Sequence, residues 1–294
     1  MKRIASYHVH TTWCDGHDSP EAMVRAAIEQ NMTDIGFSAH AMWPFASEWH
    51  LSPASYGDYA AEIRSLKEKY VAEIRISRGF EADYLEGASA PDRATYSPFS
   101  PDYLIGSVHY VPAPAVFGKK SKKVEPWCVD APAAEVARGL ERAFGGDAKK
   151  AVSAYWGRVR EMIEGADFDI IGHIDIPRKR NGELRFFSET ESWYRREIKN
   201  TVKAAARSGK IMEINTGAIA RGIRDMIYPS LEFLNLAFEA GVPITINSDS
   251  HATDSLLCAY DQARRLALDA GYRSASFLDD GGWTSTPLDS ALAD

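Results

Sequence analysis

Tyr7-His8-Val9-His10-Thr11-Thr12-Trp13-Cys14-Asp15-Gly16-His17-Asp18 follows a short apolar run that begins at Ile4. Two imidazoles one residue apart therefore stand where a strand gives out. In a strand, alternate side chains share a face, so His8 and His10 project the same way while Val9 turns behind them. Such a pair can grip a metal ion, or it can be two polar residues on a solvated face. The choice, and with it the fold, depends on whether the same arrangement recurs at other strand ends.

It does recur. Asp34-Ile35-Gly36-Phe37-Ser38 reads as a buried strand with Ala39-His40 directly after it. The first strand covers roughly Arg3 to Val9. Glu73 to Phe80 makes a third, ending at Glu81, and Asp102 to Val108 a fourth, ending at His109. Phe168 to Gly172 ends at His173, Lys210 to Ile214 ends at Asn215, and Pro243 to Asn247 runs into Ser248-Asp249-Ser250-His251.

Helical patterns lie between these strands. Ser19-Pro20-Glu21 supplies an N-cap, a first-turn proline and an early acid for a helix through about Gln30. Amphipathic helices follow at Tyr56 to Tyr70, Ala133 to Phe144 and Asp147 to Glu164. Ser188-Glu189-Thr190-Glu191 has capping-box spacing and opens a helix to about Ser208, stopped by Gly209. Ser230 to Ala240 and Ser255 to Ala270 complete the set. This alternation calls for a parallel sheet with helical crossovers. Seven repeats without a GxGxxG fingerprint favour an α/β fold closed, or nearly closed, as a barrel over an open dinucleotide-binding sheet.

The chain has eight histidines. His8, His10, His40, His109, His173 and His251 all lie at or just past the carboxyl end of an expected strand, the edge where barrel enzymes build their sites. Glu81 and Asp249 join them. Collecting so many ionisable groups on one rim without a cation would be costly, so the rim reads as a metal centre. Imidazole and carboxylate without thiolate suit zinc, iron(II) or manganese.

Composition agrees with a soluble protein of this kind. The 294 residues are 45% hydrophobic and 26% charged, within the range of a single α/β barrel domain over 1–294. A net charge of -7 argues against nucleic-acid and membrane partners but admits a small anionic substrate, because bound metal reverses the local sign. Cys14, Cys128 and Cys258 are too scattered for a disulfide framework or a thiolate zinc site. Without a signal-peptide pattern or a membrane-length apolar run, the chain reads as cytoplasmic. Residues from about 111 to 132, with Lys119, Lys120, Lys122 and Lys123, read as a surface insertion, and about 279 to 294 as a poorly ordered tail. His50 reads as a surface residue. Most loop aromatics read as packing, with Trp127 the one closest to a pocket. Oligomeric state leaves no mark on the sequence.

Lined up, His8-Val9-His10-Thr11, Asp15, Ala39-His40, Gly79-Phe80-Glu81-Ala82-Asp83, Gly106-Ser107-Val108-His109, Ile171-Gly172-His173-Ile174-Asp175 and Asn247-Ser248-Asp249-Ser250-His251 resemble, in order, the motifs of the polymerase and histidinol phosphatase (PHP) superfamily. Gly106 to Tyr110, Trp127 to Asp130 and Glu213 to Gly217 are most similar to its histidinol-phosphate phosphatase branch. The resemblance implies a distorted seven-stranded TIM-like barrel holding two to three divalent ions. His8, His10, Glu81 and Asp249 would hold the first. Glu81 would bridge to a second, completed by His109 and His173, and Asp15, His40 and His251 would hold a third. Asp15 is preferred over His17 at the family's usual offset, which leaves His17 to a substrate contact or to solvent.

The implied reaction is hydrolysis of L-histidinol phosphate to L-histidinol and phosphate, in histidine biosynthesis. A metal-bridging hydroxide would attack phosphorus, with Glu81 and Asp249 as the ligand carboxylates. Arg178 and Arg221 are the expected phosphate contacts, with Lys179 and Arg180 competing with Arg178. His17 and Asp175 are candidates for the general acid, and Glu125 or Asp130 for an acid facing the substrate amine and imidazole. The rivals are a PHP phosphoesterase acting on a nucleotide, nucleoside bisphosphate or sugar phosphate, a non-catalytic metal-binding PHP module, and an amidohydrolase-like barrel, which would need a strand-end lysine.

Overall fold

The computed structural model describes residues 3–113 and 125–288. From β1 (Ala5–Ser6) a seven-stranded parallel sheet runs through β2 (Asp34–Ala41), β3 (Arg75–Asp83) and β4 (Tyr103–Ser107). A small antiparallel hairpin, β5 (Tyr110–Val111) and β6 (Trp127–Cys128), stands outside it. Then β7 (Ile170–Ile171), β8 (Ile211–Asn215) and β9 (Ile244–Asn247) complete a nearly closed barrel in chain order.

Helices fill the crossovers. They are α1 (Pro20–Glu29) after β1, α2 (Tyr56–Lys69) after β2, α3 (Arg93–Tyr96) after β3, and α4 (Ala133–Phe144) with α5 (Ala148–Gly165) before β7. After β7 come α6 (Arg178–Leu184) and α7 (Ser192–Ser208), after β8 come α8 (Gly217–Ala220) and α9 (Leu231–Glu239), and α10 (Tyr260–Asp269) follows β9. Local chemistry sets their starts: Ser19, Asp147 and Ser230 each accept a hydrogen bond from a first-turn backbone N–H. Each such cap stabilises its helix by about 1 kcal/mol.

The β2–β3 ladder is the longest in the barrel, from Asp34 opposite Arg75 to Ala41 opposite Ala82. Both strands outrun their expected ends, so His40 and Glu81 sit inside the ladder and directly opposite each other. The expected first strand, by contrast, pairs regularly only at Ala5 and Ser6. Beyond it, polar side chains replace backbone pairing: Tyr7 N–H donates to Asn247 Oδ1 at 2.8 Å and Ser6 Oγ lies 3.0 Å from Ser248 Oγ. An isolated bridge between Val9 and Ser250 closes the seam just below the mouth.

At the opposite end Tyr103 fills the bore. Its hydroxyl lies 2.6 Å and 2.9 Å from the carbonyl oxygens of Tyr7 and Phe37. A Cβ at Gly36 or Gly79 would collide with that ring. The floor is sealed by a hairpin of β10 (Ser274–Asp279) and β11 (Gly282–Pro287), whose Leu278 N–H donates to the Tyr7 hydroxyl at 2.9 Å. Trp283 meets Tyr7 edge-on at 5.1 Å.

The hairpin corrects the expectation of a poorly ordered tail from 279 onward, as far as Leu288. Alternation in Ser-Ala-Ser-Phe-Leu is too brief to announce a strand, and the barrel floor supplies the missing partner. The region 111–132 also differs from a plain surface insertion, because Trp127 and Val129 are buried in the core. The four lysines at 119–123 lie outside the described residues. Helix α7 begins at Ser192 instead of Ser188, since Ser188 Oγ accepts from the Thr190 N–H and Glu189 is held by Arg178. Among the described residues no helix is long and apolar enough to cross a membrane.

Candidate metal centre

Strand alternation delivers the side chains as expected. His8 and His10 are both buried with Val9 turned into the core behind them. Their Nε2 atoms lie 3.1 Å and 3.5 Å from one oxygen of Glu81, Oε2. His40, placed opposite Glu81 by the ladder, brings Nδ1 to 2.7 Å from the same oxygen. The other carboxylate oxygen, Oε1, lies 2.8 Å from His173 Nε2 and 3.5 Å from His109 Nε2. Asp249 Oδ1 is 3.5 Å from His10 Nε2 and 3.8 Å from His8 Nε2. Asp249 takes a left-handed backbone, φ 51°, a conformation aspartate tolerates better than most residues.

Nearer the mouth, Asp15 Oδ1 is 3.5 Å from His40 Nε2 and Asp15 Oδ2 is 3.3 Å from His251 Nε2. Ligand-capable atoms converge in four overlapping sets: His8, His10 and Glu81; His8, His173 and Asp249; His40, Glu81 and His109; and His10, Asp15, His40 and His251. All nine expected ligands thus share one basin. His10 approaches the Asp15 set as well as the inner one, which the sequence did not indicate.

The basin is tested for a cation by its own polar atoms. His8 Nε2, His10 Nε2, His40 Nδ1 and Glu81 Oε2 are buried and make no hydrogen bond. Each such orphan would cost about 1–3 kcal/mol without a partner. Three orphan nitrogens clustered around one orphan carboxylate oxygen, borderline and hard donors without sulfur, fit divalent cations. Burial alone would raise the pKa of Glu81, but the imidazoles of His40, His8 and His109 outweigh it and hold the carboxyl well below its usual range. Asp249 is likewise held low against its burial, by Arg221 and His8. Burial, with His40 and His251 beside it, keeps His10 well below the ordinary imidazole value. Ionised carboxylates and a neutral imidazole are the protonation states that bind metal.

A second layer aims the first. Glu213, at the centre of β8, receives His8 Nδ1 on both oxygens at 2.9 Å and 3.1 Å. It also accepts from the His173 backbone N–H at 2.7 Å and from Asn215 and Asn247 at 2.8 Å each. Because a carboxylate only accepts, His8 carries its proton on Nδ1 and turns the lone pair of Nε2 into the basin. Asp83 does the same for His109, at 2.7 Å. Sequence reading missed both roles, although Asp83 shares a strand face with Glu81 two residues earlier and Glu213 is an acid in an otherwise apolar strand.

The basin opens into a cavity of about 490 Å³, walled by Trp49, Asp130, Glu135, His17 and Arg221. Arg221 NH2 donates to Asp249 Oδ1 at 2.9 Å. A side chain on Gly217 would strike both members of that pair. Several expectations need correction here. Arg178 does not line the cavity, because its guanidinium donates to Glu189 at 2.8 Å and to Asp175 and the Ile227 carbonyl at 3.2 Å. Lys179 pairs with Asp130, and Arg180 donates to the Ala131 carbonyl, so neither takes over that role at the cavity wall. Asp175 is buried behind the wall, held by Arg178 and the Ser230 N–H, and cannot reach a leaving group. Glu125 pairs with Arg142 away from the cavity. Trp127 is core packing, donating to the Val136 carbonyl, and the pocket aromatic is Trp49. His50 is buried, not a surface residue.

A family profile, the PHP domain, matches residues 6–217. The chain belongs to the PHP domain family. Among PHP-related proteins it is 26% identical to a probable histidinol-phosphatase of Deinococcus radiodurans, over 94% of this chain and 97% of that one. It is 22% identical to the histidinol-phosphatase of Bacillus subtilis, over 86% and 96%. A Listeria monocytogenes crystal structure superposes with a TM-score of 0.75 at 23% identity, covering 88% of this chain and 99% of that one. The histidinol phosphate phosphatase of Lactococcus lactis, solved with zinc, L-histidinol and phosphate, superposes with a TM-score of 0.63 at 20% identity, over 95% and 98%. These likenesses establish the PHP barrel for this chain.

Proposed function

We propose that this protein is a metal-dependent phosphomonoesterase that hydrolyses L-histidinol phosphate to L-histidinol and phosphate. The observation that carries the reading is the meeting, in one cavity, of a nine-ligand metal basin, the Arg221 guanidinium and the Asp130 carboxylate. Phosphate calls for the first two. A leaving alcohol that bears an amine and an imidazole calls for the third. The relatives named histidinol-phosphatase along nearly their whole length, and the Lactococcus enzyme with zinc, histidinol and phosphate, support the same substrate.

His8, His10, Glu81 and Asp249 would hold one ion, Glu81, His109 and His173 a second, and Asp15, His40 and His251 a third, with zinc, iron(II) and manganese all suited to these donors. Bound there, such ions neutralise phosphate oxygens and acidify water. The chain's own residues do the rest. Arg221 offers charged donors to the phosphate. Lys179 holds Asp130 from behind, and with His109 and Arg221 it keeps that half-buried carboxyl below its ordinary value despite its partial desolvation, so Asp130 is ionised and ready for a cation. His17 lies on the cavity wall, its backbone N–H donating to the His251 carbonyl at 2.7 Å, and would serve as the acid that protonates the leaving oxygen.

A nucleotide substrate would want a free aromatic face for its base. Trp49 is instead stacked on His50 at 4.0 Å, near-parallel to Tyr110, and met edge-on by His40 and His109. Its ring is engaged by the protein. The test is phosphate release by zinc-, iron- and manganese-reconstituted protein on histidinol phosphate beside a panel of nucleotides and sugar phosphates. Preference for histidinol phosphate by an order of magnitude or more in kcat/KM is the expected result; equal turnover of the panel would overturn the substrate and leave the phosphatase chemistry standing.

A further inference from the structure

The loop between β2 and α2 carries a buried imidazole that the metal basin does not use. His50 has a fully buried side chain, 0% exposed, and its Nε2 lies 2.6 Å from Asp83 Oδ2. Its other nitrogen, Nδ1, accepts from the Ser47 backbone N–H at 3.1 Å and lies 2.6 Å from Ser47 Oγ. A backbone N–H can only donate, so Nδ1 bears the lone pair and Nε2–H is the donor to Asp83. The remaining oxygen of Asp83, Oδ1, accepts from His109 Nδ1 at 2.7 Å. One buried carboxylate thus spans two imidazoles, one on the loop between β2 and α2 and one facing the metal basin.

The segment so tied has little regular structure to hold it. Beyond the His50 ring, its backbone is tied by a bridge between Met42 and Phe45, the Trp43 N–H donating to the Tyr96 hydroxyl, and Leu51 N–H donating to the His40 carbonyl at 2.9 Å, while the Trp43 ring packs edge-on against Tyr56 and Phe99. Within it Trp49 forms one wall of the cavity and stacks on His50. Fixing the His50 ring therefore fixes the wall.

We propose that Asp83 and His50 are positioning residues that set the substrate-side wall in register with the metal-facing His109, Asp83 aiming His109 with one oxygen and anchoring the Trp49 loop through His50 with the other. The two oxygens have separable duties. Losing the His50 bond frees the loop and leaves His109 aimed. Asparagine at 83 disturbs both, because an amide offers one acceptor where two N–H donors point. The Ser47 N–H on Nδ1 holds His50 to its tautomer, so His109 is the one that must change, and its Nε2 then gains the proton and loses the lone pair that faces Glu81 and His173.

The substrate arm of the test rests on the histidinol phosphate reading, and the other two arms do not. Zinc affinity is measured by competition with a chromophoric chelator, loop order by hydrogen–deuterium exchange over residues 42–51, and catalysis as separate kcat and KM on zinc-loaded protein. For H50A we expect faster exchange over 42–51, zinc affinities within about threefold of the native protein, and a KM raised on the order of tenfold with kcat lowered less than about threefold. For H50Q, whose amide can reach Asp83 from the same position, exchange and KM return to within about threefold of native. For D83N one zinc equivalent weakens by about ten- to a hundredfold. The proposal is overturned if H50A leaves exchange over 42–51 unchanged, if H50Q fails to restore it, or if D83N binds every zinc equivalent as the native protein does. If the native protein itself fails to turn over histidinol phosphate, the substrate reading falls, and the exchange and zinc arms still decide the roles of His50 and Asp83.

Discussion

The floor and the rim of the metal basin are held in different ways. On the floor, His8 and His109 are each aimed by a buried carboxylate, Glu213 on β8 and Asp83 on β3, both on rigid strands of the barrel. At the rim, Asp15 is a loop residue with a side chain 34% exposed, and its partners are the imidazoles of His40, His251 and, more distantly, His10. The other ring nitrogen of His251, Nδ1, has no carboxylate within hydrogen-bond distance and lies 3.1 Å from both the Asp249 carbonyl and the Arg221 guanidinium. The floor is organised before an ion arrives, whereas the rim shares its electrostatics with solvent. Ions bound to the floor should therefore be the tight class and any ion at the rim the exchangeable one.

The sharpest break would come from Glu81, which both inner sets share. Glu81→Ala should lower kcat by on the order of 10³-fold or more while thermal melts still show a cooperative barrel; retention of native zinc content and activity would remove the floor from the argument. Next in size, Glu213→Gln should weaken the tight zinc class by about ten- to a hundredfold in a chelator competition. Asp15→Asn, by the same measurement, should spare that class and lose one equivalent on dialysis. Equal damage to the tight class from both variants would erase the distinction between floor and rim. Arg221→Ala removes a charged donor and frees Asp249, and should raise KM about ten- to a hundredfold with zinc content unchanged. The smallest effect on activity is expected of Trp283→Ala at the opposite end of the barrel. It should cost about 2 kcal/mol in denaturant unfolding and leave the zinc equivalents intact.

The floor was largely legible in the sequence and its supports were not. A period of two along a strand is enough to say that His8 and His10 share a face, and the recurrence of imidazoles at four further strand ends gathers them on one edge. The same period, applied one step further, places Asp83 beside Glu81. His50 is a different case: the loop from Met42 to Leu51 has no periodicity, so nothing local distinguishes a buried imidazole from a surface one, and only the folded position of Asp83 does. Arg178 shows the reverse error. It follows a ligand on the right loop, yet its charge is claimed by Glu189 eleven residues on, a partner whose approach depends on how α6 and the start of α7 are arranged. The floor hairpin escaped notice because its six-residue strands find their apolar partners only once the barrel has folded, as Trp283 does against Tyr7 and Tyr103.

The seam between β1 and β9 has a consequence for synthesis. His8 and His10 follow a strand whose other neighbours, Asn247, Ser248, Ser250 and Leu278, are made more than two hundred residues later. Until those residues emerge, that edge has no closing partner and the two imidazoles have neither Glu213 nor Asp249 beside them. Loading with metal is thereby deferred until the seventh barrel strand has been made, and a nascent chain stalled before that strand would leave the ribosome with His8 and His10 still unclaimed.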